Sequence, residues 1–74
     1  MPTSTFPIRG DYIQLDQLLK ATGLAGTGGE AHAAVEAGLV RVDGRVESRK
    51  RAKLRPGQQV SLGTDTVQLT PAEG

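Results

Sequence analysis

Residues 38–55 read GLVRVDGRVESRKRAKLR and contain the strongest structural signals of the chain. It opens like a β-strand, because Val40 and Val42 fall on one face and Arg41 falls on the other. Asp43-Gly44 then forms a strong turn signal. The segment therefore predicts a strand that reverses direction directly after residue 42.

After that turn, the alternation of apolar and basic residues is out of phase with the alternation in the strand before it. A two-residue hairpin would put Val42 opposite Arg45, which mixes apolar and basic side chains on one face. We therefore expect a bulge or a bend after Gly44. Residues 47–53 contain one apolar residue, Ala52, and are predicted to form a loop, which is called the basic loop below.

The same stretch concentrates the positive charge of the chain. Seven basic and two acidic residues lie between positions 41 and 55, a net charge of +5, whereas the whole chain has a net charge of +1. A nearly neutral protein that gathers its cations in about a fifth of its length is typical of proteins that bind a polyanion. The seven basic residues are Arg41, Arg45, Arg49, Lys50, Arg51, Lys53 and Arg55.

Two helices are predicted upstream of this stretch. Residues 13–22 place leucines at helical spacing, and Gly23 ends that helix. The second helix begins with a capping box, in which Thr27 is the N-cap and Glu30 is the third helical residue. Gly38 is expected to end it. Its buried stripe consists of Ala31, Ala34 and Val35.

Short strands are predicted on both sides of the helices. Residues 5–9 are expected to form an edge strand, since Pro7 cannot donate a hydrogen bond to a ladder. Residues 60–62 and 67–69 alternate as two further strands. Between the basic loop and these strands, residues 55–58 (Arg-Pro-Gly-Gln) fit a type II turn.

This order of elements predicts a single α+β domain across residues 1–74, with a core of about residues 6–69 and frayed termini. Two helices would pack on one side of a small, mainly antiparallel sheet of short strands. The chain has no cysteine and one histidine, so neither disulfides nor a metal site or cofactor is expected. It lacks an apolar run long enough for a membrane span, and we expect a monomeric, cytoplasmic protein without a membrane partner.

Several of these motifs occur in an order typical of one known family. The motifs are Leu15-Asp16, Leu18-Leu19, Gly23-Leu24, Thr27 with Ala31, Gly38-Leu39-Val40, Val42-Asp43-Gly44, and Pro56-Gly57 with Val60. Over roughly residues 14–62 the chain resembles the S4 RNA-binding domain, and in particular the short bacterial proteins that consist of this domain alone. The resemblance implies an S4-like fold, which is known as the αL motif.

The resemblance also implies an RNA-binding face, made from the start of the second helix and from the strand and turn that follow. Carried over by position, this face comprises Thr27, Gly28, Gly29, His32, Arg41, Asp43, Gly44 and Arg45. Three positions depart from the family pattern. Gln14 and Gly28 stand where many members have Arg, and His32 stands where they often have Lys or Arg. These departures shift the expected RNA contacts toward residues 41–55.

We therefore expect a non-enzymatic RNA-binding module that holds structured RNA mainly through phosphates, with ribosomal, transfer and messenger RNA all open as targets. No nucleophile or paired carboxylate marks a catalytic centre in the sequence. The alternative is a protein-interaction adaptor whose basic patch docks an acidic or ribosomal protein. If this alternative holds, protein partners should remain bound after ribonuclease treatment. A loop that serves solubility alone is the weaker interpretation, because the cations are clustered.

Three features have competing interpretations. Thr27-Gly28-Gly29 could seat a phosphate on exposed N–H groups, but a plain helix cap is favoured because Glu30 competes for those donors. His32 is expected to be partly exposed in a surface or RNA-facing position. Tyr12 could stack on a base, but packing beside the first helix is favoured.

Overall fold

The structure, a computed structural model, describes residues 3–72. The prediction of frayed ends lies outside these residues for positions 1–2 and 73–74, whereas residues 3–5 belong to the first strand. The described elements, in chain order, are β1 (Thr3–Ile8), β2 (Ile13–Gln14), α1 (Leu15–Ala21), α2 (Gly28–Glu36), β3 (Val40–Val42), β4 (Arg45–Val46), β5 (Lys53–Leu54), β6 (Gln59–Leu62) and β7 (Asp65–Pro71).

Five of these strands form the main sheet, in the order β1-β7-β6-β3-β4. β1 pairs in parallel with β7, and the other neighbours are antiparallel. The prediction of two helices with a mainly antiparallel sheet is confirmed, and so is the edge position of the first strand, which contains Pro7. The parallel direction of β1 does not follow from the sequence, because residues 5–9 carry no signal for their partner.

The core lies between one face of this sheet and the two helices. The helices contribute Leu15, Leu18 and Leu19 from α1, and Ala31 and Val35 from α2. The sheet contributes Ile8, Val40, Val60, Val67 and Leu69. Strand alternation then puts Arg41 and its register partner Ser61 on the opposite face, which is polar and is called the open sheet face below.

α1 is shorter than the sequence predicts. Residues 13–14 form β2 instead and pair with β5 in a separate two-stranded sheet, with Ile13 opposite Leu54 and Gln14 opposite Lys53. The helical prediction for residues 13–14 is wrong because their backbone bonds to a distant segment. Neither helix within residues 3–72 is long and apolar enough to cross a bilayer.

α2 ends as predicted, at a glycine with positive φ. Gly38 has φ of +74°, and its N–H donates to the Val35 carbonyl at 3.1 Å. The Leu39 N–H donates to the Ala34 carbonyl, also at 3.1 Å. These two bonds are those of a Schellman motif, in which a left-handed residue closes the helix. The chain leaves α2 in this conformation and enters β3.

The turn between β3 and β4 corrects one prediction. Val42 lies opposite Arg45, and Arg41 lies opposite Val46, without the expected bulge or bend. Asp43 and Gly44 both have positive φ, of 52° and 83°, as a type I′ turn requires. The mixed faces are tolerated because β4 is a two-residue edge strand with both side chains exposed.

The basic loop is also more ordered than its composition predicts. Its last residue, Lys53, opens β5, and Leu54 beside it is buried in the core. The type II turn that follows is confirmed: the Gln58 N–H donates to the Arg55 carbonyl at 3.2 Å, and Gly57 has φ of +97°. The predicted strands around Val60 and Val67 are β6 and β7.

Candidate functional site

The basic loop is anchored on the first turn of α1. The Leu15 N–H donates to the Ala52 carbonyl and the Asp16 N–H donates to the Lys50 carbonyl, both at 2.9 Å. Gln14, at the N-cap position, makes no side-chain capping bond. Backbone carbonyls of the loop therefore satisfy N–H groups that a helix start otherwise leaves without partners. The loop is fixed at the point where the helix begins.

Contacts inside the loop hold its shape. Ala52 is only 6% exposed, and Leu54 after it is fully buried. The Ala52 N–H donates to the Arg49 carbonyl at 3.1 Å. The Arg49 N–H in turn donates to the Glu47 carboxylate at 3.1 Å. The long side chains of the loop consequently extend from a backbone that is held at both ends.

The cationic side chains of the loop face solvent. The Arg49 side chain is 79% exposed, and Lys50, Arg51 and Lys53 are exposed as well. They border two shallow depressions. The first is lined by Glu36, Ser48, Arg49, Lys50 and Arg51, and the second by Arg49, Arg51, Ala52 and Lys53. Guanidinium groups bind phosphate oxygens in pairs and Lys adds a point charge, so the loop is suited to phosphates.

The Glu47 carboxylate orients one of these cations. Its Oε2 accepts a hydrogen bond from Arg49 Nε at 3.2 Å, and its Oε1 accepts one from Arg49 Nη2 at 3.3 Å. The side-chain hydrogen bond from Arg49 is the main cause that lowers the pKa of Glu47, against the opposing effect of partial burial. The same bond raises the pKa of Arg49. The ionised pair holds the Arg49 guanidinium close to the loop.

At the start of α2, half of the predicted capping box is confirmed. Thr27 Oγ1 accepts a hydrogen bond from the Glu30 N–H at 3.1 Å. The Glu30 carboxylate accepts from the Gly26 N–H at 2.8 Å, one residue before the expected donor. A Cβ placed on Gly28 would lie 3.8 Å from Lys20 Cδ, so the Lys20 side chain extends along the helix start.

His32 connects the two helices. Its Nε2 lies 3.1 Å from Asp16 Oδ2, and its side chain is about one third exposed. The predicted partial exposure is confirmed, and the ring has an intramolecular partner that the sequence does not indicate. Since the Asp16 N–H also donates to the basic loop, His32 lies next to the point where the loop is anchored.

Asp43 and Gly44 serve the turn itself. Besides the positive φ of both residues, the Asp43 carboxylate accepts from the Gln59 N–H at 3.0 Å and from the Gln58 side-chain amide at 3.3 Å. The Asp43 N–H donates to the Gln59 carbonyl at 2.8 Å. These bonds tie the hairpin to the start of β6. The Asp43 carboxylate is therefore used within the fold.

The two arginines beside this turn project to different sides. Arg45 lies opposite Val42 and shares the helix side of the sheet with it, whereas Arg41 projects from the open sheet face. Both are exposed. Arg55, also exposed, opens the type II turn, where its N–H donates to Gln58 Oε1 at 2.7 Å. Hence the seven cations of residues 41–55 do not all share one face.

The structure brings the basic loop together with one side of α2. Glu36 lines the first depression with loop residues, and His32 bonds to the residue of α1 that anchors the loop. Thr27, Gly28 and Gly29 lie at the other end of α2, at the helix start, where Lys20 extends past Gly28. The surface that the basic loop and this side of α2 share is called the loop–helix surface below.

Residues absent from the sequence-based site also belong to this region. Gly28, His32 and Glu36 follow one another at intervals of four, which places them in one row of α2, and this spacing could have identified Glu36. Tyr12, by contrast, has its ring centroid 4.9 Å from Lys53 Nζ. The β2–β5 pairing brings these two residues together, and the sequence does not indicate that pairing. Among residues 3–72, no group of three or more potential ligands could hold a metal ion.

Comparison with known proteins gives a family match. A family model described as "S4 domain" matches residues 6–70, which extends beyond the motifs at positions 14–62 on both sides. The chain is 43% identical over 58 residues to the "Putative RNA-binding protein YbcJ" of Escherichia coli (strain K12), covering 78% of this chain and 83% of the relative. The same values apply to the "Uncharacterized protein YbcJ" of Shigella flexneri.

A solved structure has a similar fold over most of the chain. It is the solution structure of YbcJ from E. coli, which is described as revealing an "alfaL motif involved in RNA-binding". The two structures superpose with a TM-score of 0.67 at 38% sequence identity, covering 95% of this chain and 87% of the other. The predicted S4-like αL fold and the predicted family are thereby confirmed.

Proposed function

The chain belongs to the S4 domain family, and from this premise we propose that it binds structured RNA through the loop–helix surface. The basic loop supplies the principal phosphate contacts, from Arg49, Lys50, Arg51 and Lys53. His32 adds a hydrogen-bonding ring beside the loop. Because the contacts are to phosphates, the spacing of phosphates in a folded RNA decides the target more than base sequence does.

The observation that carries this proposal is the anchoring of the loop on α1. A flexible basic loop would lose conformational freedom on binding, which reduces affinity. Here the Leu15 and Asp16 N–H groups hold the loop carbonyls at 2.9 Å, and Ala52 is buried near the end of the loop. The backbone that carries the cations is consequently ordered before the RNA arrives. An A-form stem presents a fixed array of phosphates, which suits such a rigid array of cations.

The other residues of the implied RNA face have different roles in this proposal. Asp43 and Gly44 form the turn, because the Asp43 carboxylate accepts hydrogen bonds from Gln58 and Gln59. Arg45 extends the surface on the helix side of the sheet, while Arg41 lies on the open sheet face and contributes long-range attraction. Thr27 caps α2, and Gly28 and Gly29 follow it beside Lys20, at the outer end of the RNA footprint.

The test is to remove three consecutive exposed cations of the loop. The triple variant Arg49→Ala, Lys50→Ala, Arg51→Ala should bind a short RNA stem-loop about 10- to 100-fold more weakly than the parent at low salt, because each lost phosphate contact removes a charge-assisted interaction. Fluorescence anisotropy with labelled RNA measures the affinity. Circular dichroism should report an unchanged fold, since all three side chains are exposed.

A matched control separates local contact from net charge. Thr3→Glu, Thr5→Glu and Thr64→Glu together lower the net charge by the same three units, at exposed positions of β1 and of the β6–β7 turn. This control variant should lose less than about threefold in RNA affinity, since exposed charges farther apart than about 10 Å are screened at moderate salt. An equal loss in both variants would remove the loop from the proposed site.

A further inference from the structure

Tyr12 is an exposed aromatic side chain at the border of the basic loop. It is the only tyrosine of the chain, which has no tryptophan, and it is 41% exposed. The structure thus leaves the ring outside the core cluster, contrary to the packing role that its position beside the first helix favours. A ring of this kind has a face available for contact with another molecule.

The ring is held by a lysine of the basic loop. Lys53 Nζ lies 4.9 Å from the centroid of the Tyr12 ring, which is a cation–π contact. The β2–β5 pairing explains the contact, because it puts Gln14 opposite Lys53. Tyr12 precedes Gln14 by two residues and therefore lies on the same face, diagonal to Lys53. The pairing thus joins Tyr12 to the basic loop.

A shallow groove lies beside the ring. Its lining includes the apolar residues Phe6, Pro7, Ile8 and Ile13, with Arg9 as its one charged residue and Tyr12 at its border with the loop. Lys53 is not part of that lining but contacts the Tyr12 ring that is. The groove therefore combines apolar and aromatic surface with two cations, Arg9 in its lining and Lys53 at the ring.

We propose that this groove takes an unpaired nucleobase of the RNA, stacked on Tyr12, while Lys53 and Arg9 meet the phosphates on either side of it. A nucleotide is a flat apolar ring attached to an anion, and the groove matches both parts. Stacking on an aromatic ring is tolerant of base identity. The inference rests on the proposed function, since the same RNA must reach the basic loop through its paired region.

The experiment compares two RNA probes that share one stem-loop. One probe is blunt, and the other carries a short single-stranded extension. For the parent protein the extension should raise affinity about tenfold, in the range known for a single base–aromatic stack. Tyr12→Leu should abolish this gain, so that it binds the two probes with equal affinity. Tyr12→Phe, which keeps the ring, should retain the gain.

Intrinsic fluorescence gives a second and independent measurement. Because Tyr12 is the only tyrosine and no tryptophan is present, tyrosine emission reports on this ring alone. A stacked base should quench the emission when the extended probe binds, whereas the blunt probe should leave it nearly unchanged. Circular dichroism of Tyr12→Leu controls for folding. If that variant does not fold, the parent's affinities for the two probes and its tyrosine emission decide.

The outcomes separate this inference from the proposed function. If both probes bind the parent equally and the emission does not change, the inference is overturned while the proposed function stands. If Tyr12→Leu weakens both probes by the same factor, the ring only supports Lys53, and the base site is likewise rejected. Absence of binding to either probe by the parent would reject the proposed function itself.

Discussion

Around the loop–helix surface and the adjoining hairpin, single acidic residues position other groups. The Asp16 carboxylate accepts from the Gln17 N–H at 2.9 Å and also lies 3.1 Å from His32 Nε2. Glu47 holds Arg49. Asp43 holds the β3–β4 turn to β6. Each of these three negative charges therefore faces a donor within the protein, which lessens its repulsion of an approaching phosphate.

Glu47 gives a pH-dependent prediction. Hydrogen bonding from Arg49 lowers the pKa of Glu47 below its ordinary 4.5. The stabilisation is therefore complete above pH 4.5 and disappears as the pH falls through the lowered value. Glu47→Gln should destabilise the fold by less than about 1 kcal/mol at pH 7, because Arg49 is exposed. Near pH 2 the variant and the parent should have equal stability.

Urea denaturation at the two pH values measures this difference. Glu36→Gln is the matched control, since Glu36 is an exposed acid of the same surface without a hydrogen bond to the loop among the described contacts. It should not reproduce the pH dependence. A Glu47→Gln effect of the same size at both pH values would mean that the carboxylate's charge does not contribute.

Among the elements, the basic loop and α1 form one unit. Two backbone hydrogen bonds join them, and the β2–β5 ladder continues the connection. An α-helix normally exposes its first N–H groups to water. In this protein, the N–H groups of Leu15 and Asp16 are instead used to fix the segment that carries the charge. The order of the basic loop thus depends on how its small buried residue, Ala52, packs.

Enlarging Ala52 should release the loop. Ala52→Leu adds volume at a buried position and should destabilise the fold by about 1–3 kcal/mol. The amides of Leu15 and Asp16 should be protected from hydrogen exchange in the parent and should exchange faster in the variant. RNA affinity should fall although all seven cations of residues 41–55 remain, because the loop must then be ordered on binding.

The matched control adds the same side chain elsewhere in the loop. Ser48→Leu is at an exposed position, so protection of the two amides should persist. Amides of Leu15 and Asp16 that exchange freely in the parent would contradict the anchored loop. If Ala52→Leu loses this protection but binds RNA as tightly as the parent, the anchoring of the loop does not contribute to RNA binding.

The sequence predicts the local features of these elements and misses the long-range ones. Thr27 and Gly38 mark both ends of α2, because capping depends on adjacent residues. The bulge predicted after Gly44 does not form, since strand phase matters only where a face is buried and β4 is exposed. The hydrogen bond from the Asp16 N–H to the Lys50 carbonyl joins two backbone groups, and no side-chain pattern in the sequence indicates it. The RNA-binding face that the family resemblance implies likewise does not indicate that Arg41 and Arg45 project to different sides of the sheet.

In the whole molecule, the sheet separates two surfaces. On one side, helices and basic loop combine cations with His32 beside the first turn of α1. On the other, the open sheet face carries polar residues such as Ser61, Thr66 and Gln68, with Arg41 as its basic residue among the central strands. We propose that RNA binds the first of these surfaces.

An NMR titration tests that claim most directly. A ¹⁵N-labelled sample of the full chain is titrated with the blunt RNA stem-loop, and amide shifts are followed residue by residue. We expect the largest shift changes at residues 47–55, smaller ones at Asp16 and His32, and unchanged amides at Ser61, Thr66 and Gln68. Shift changes concentrated on the open sheet face, with the basic loop unaffected, would contradict it.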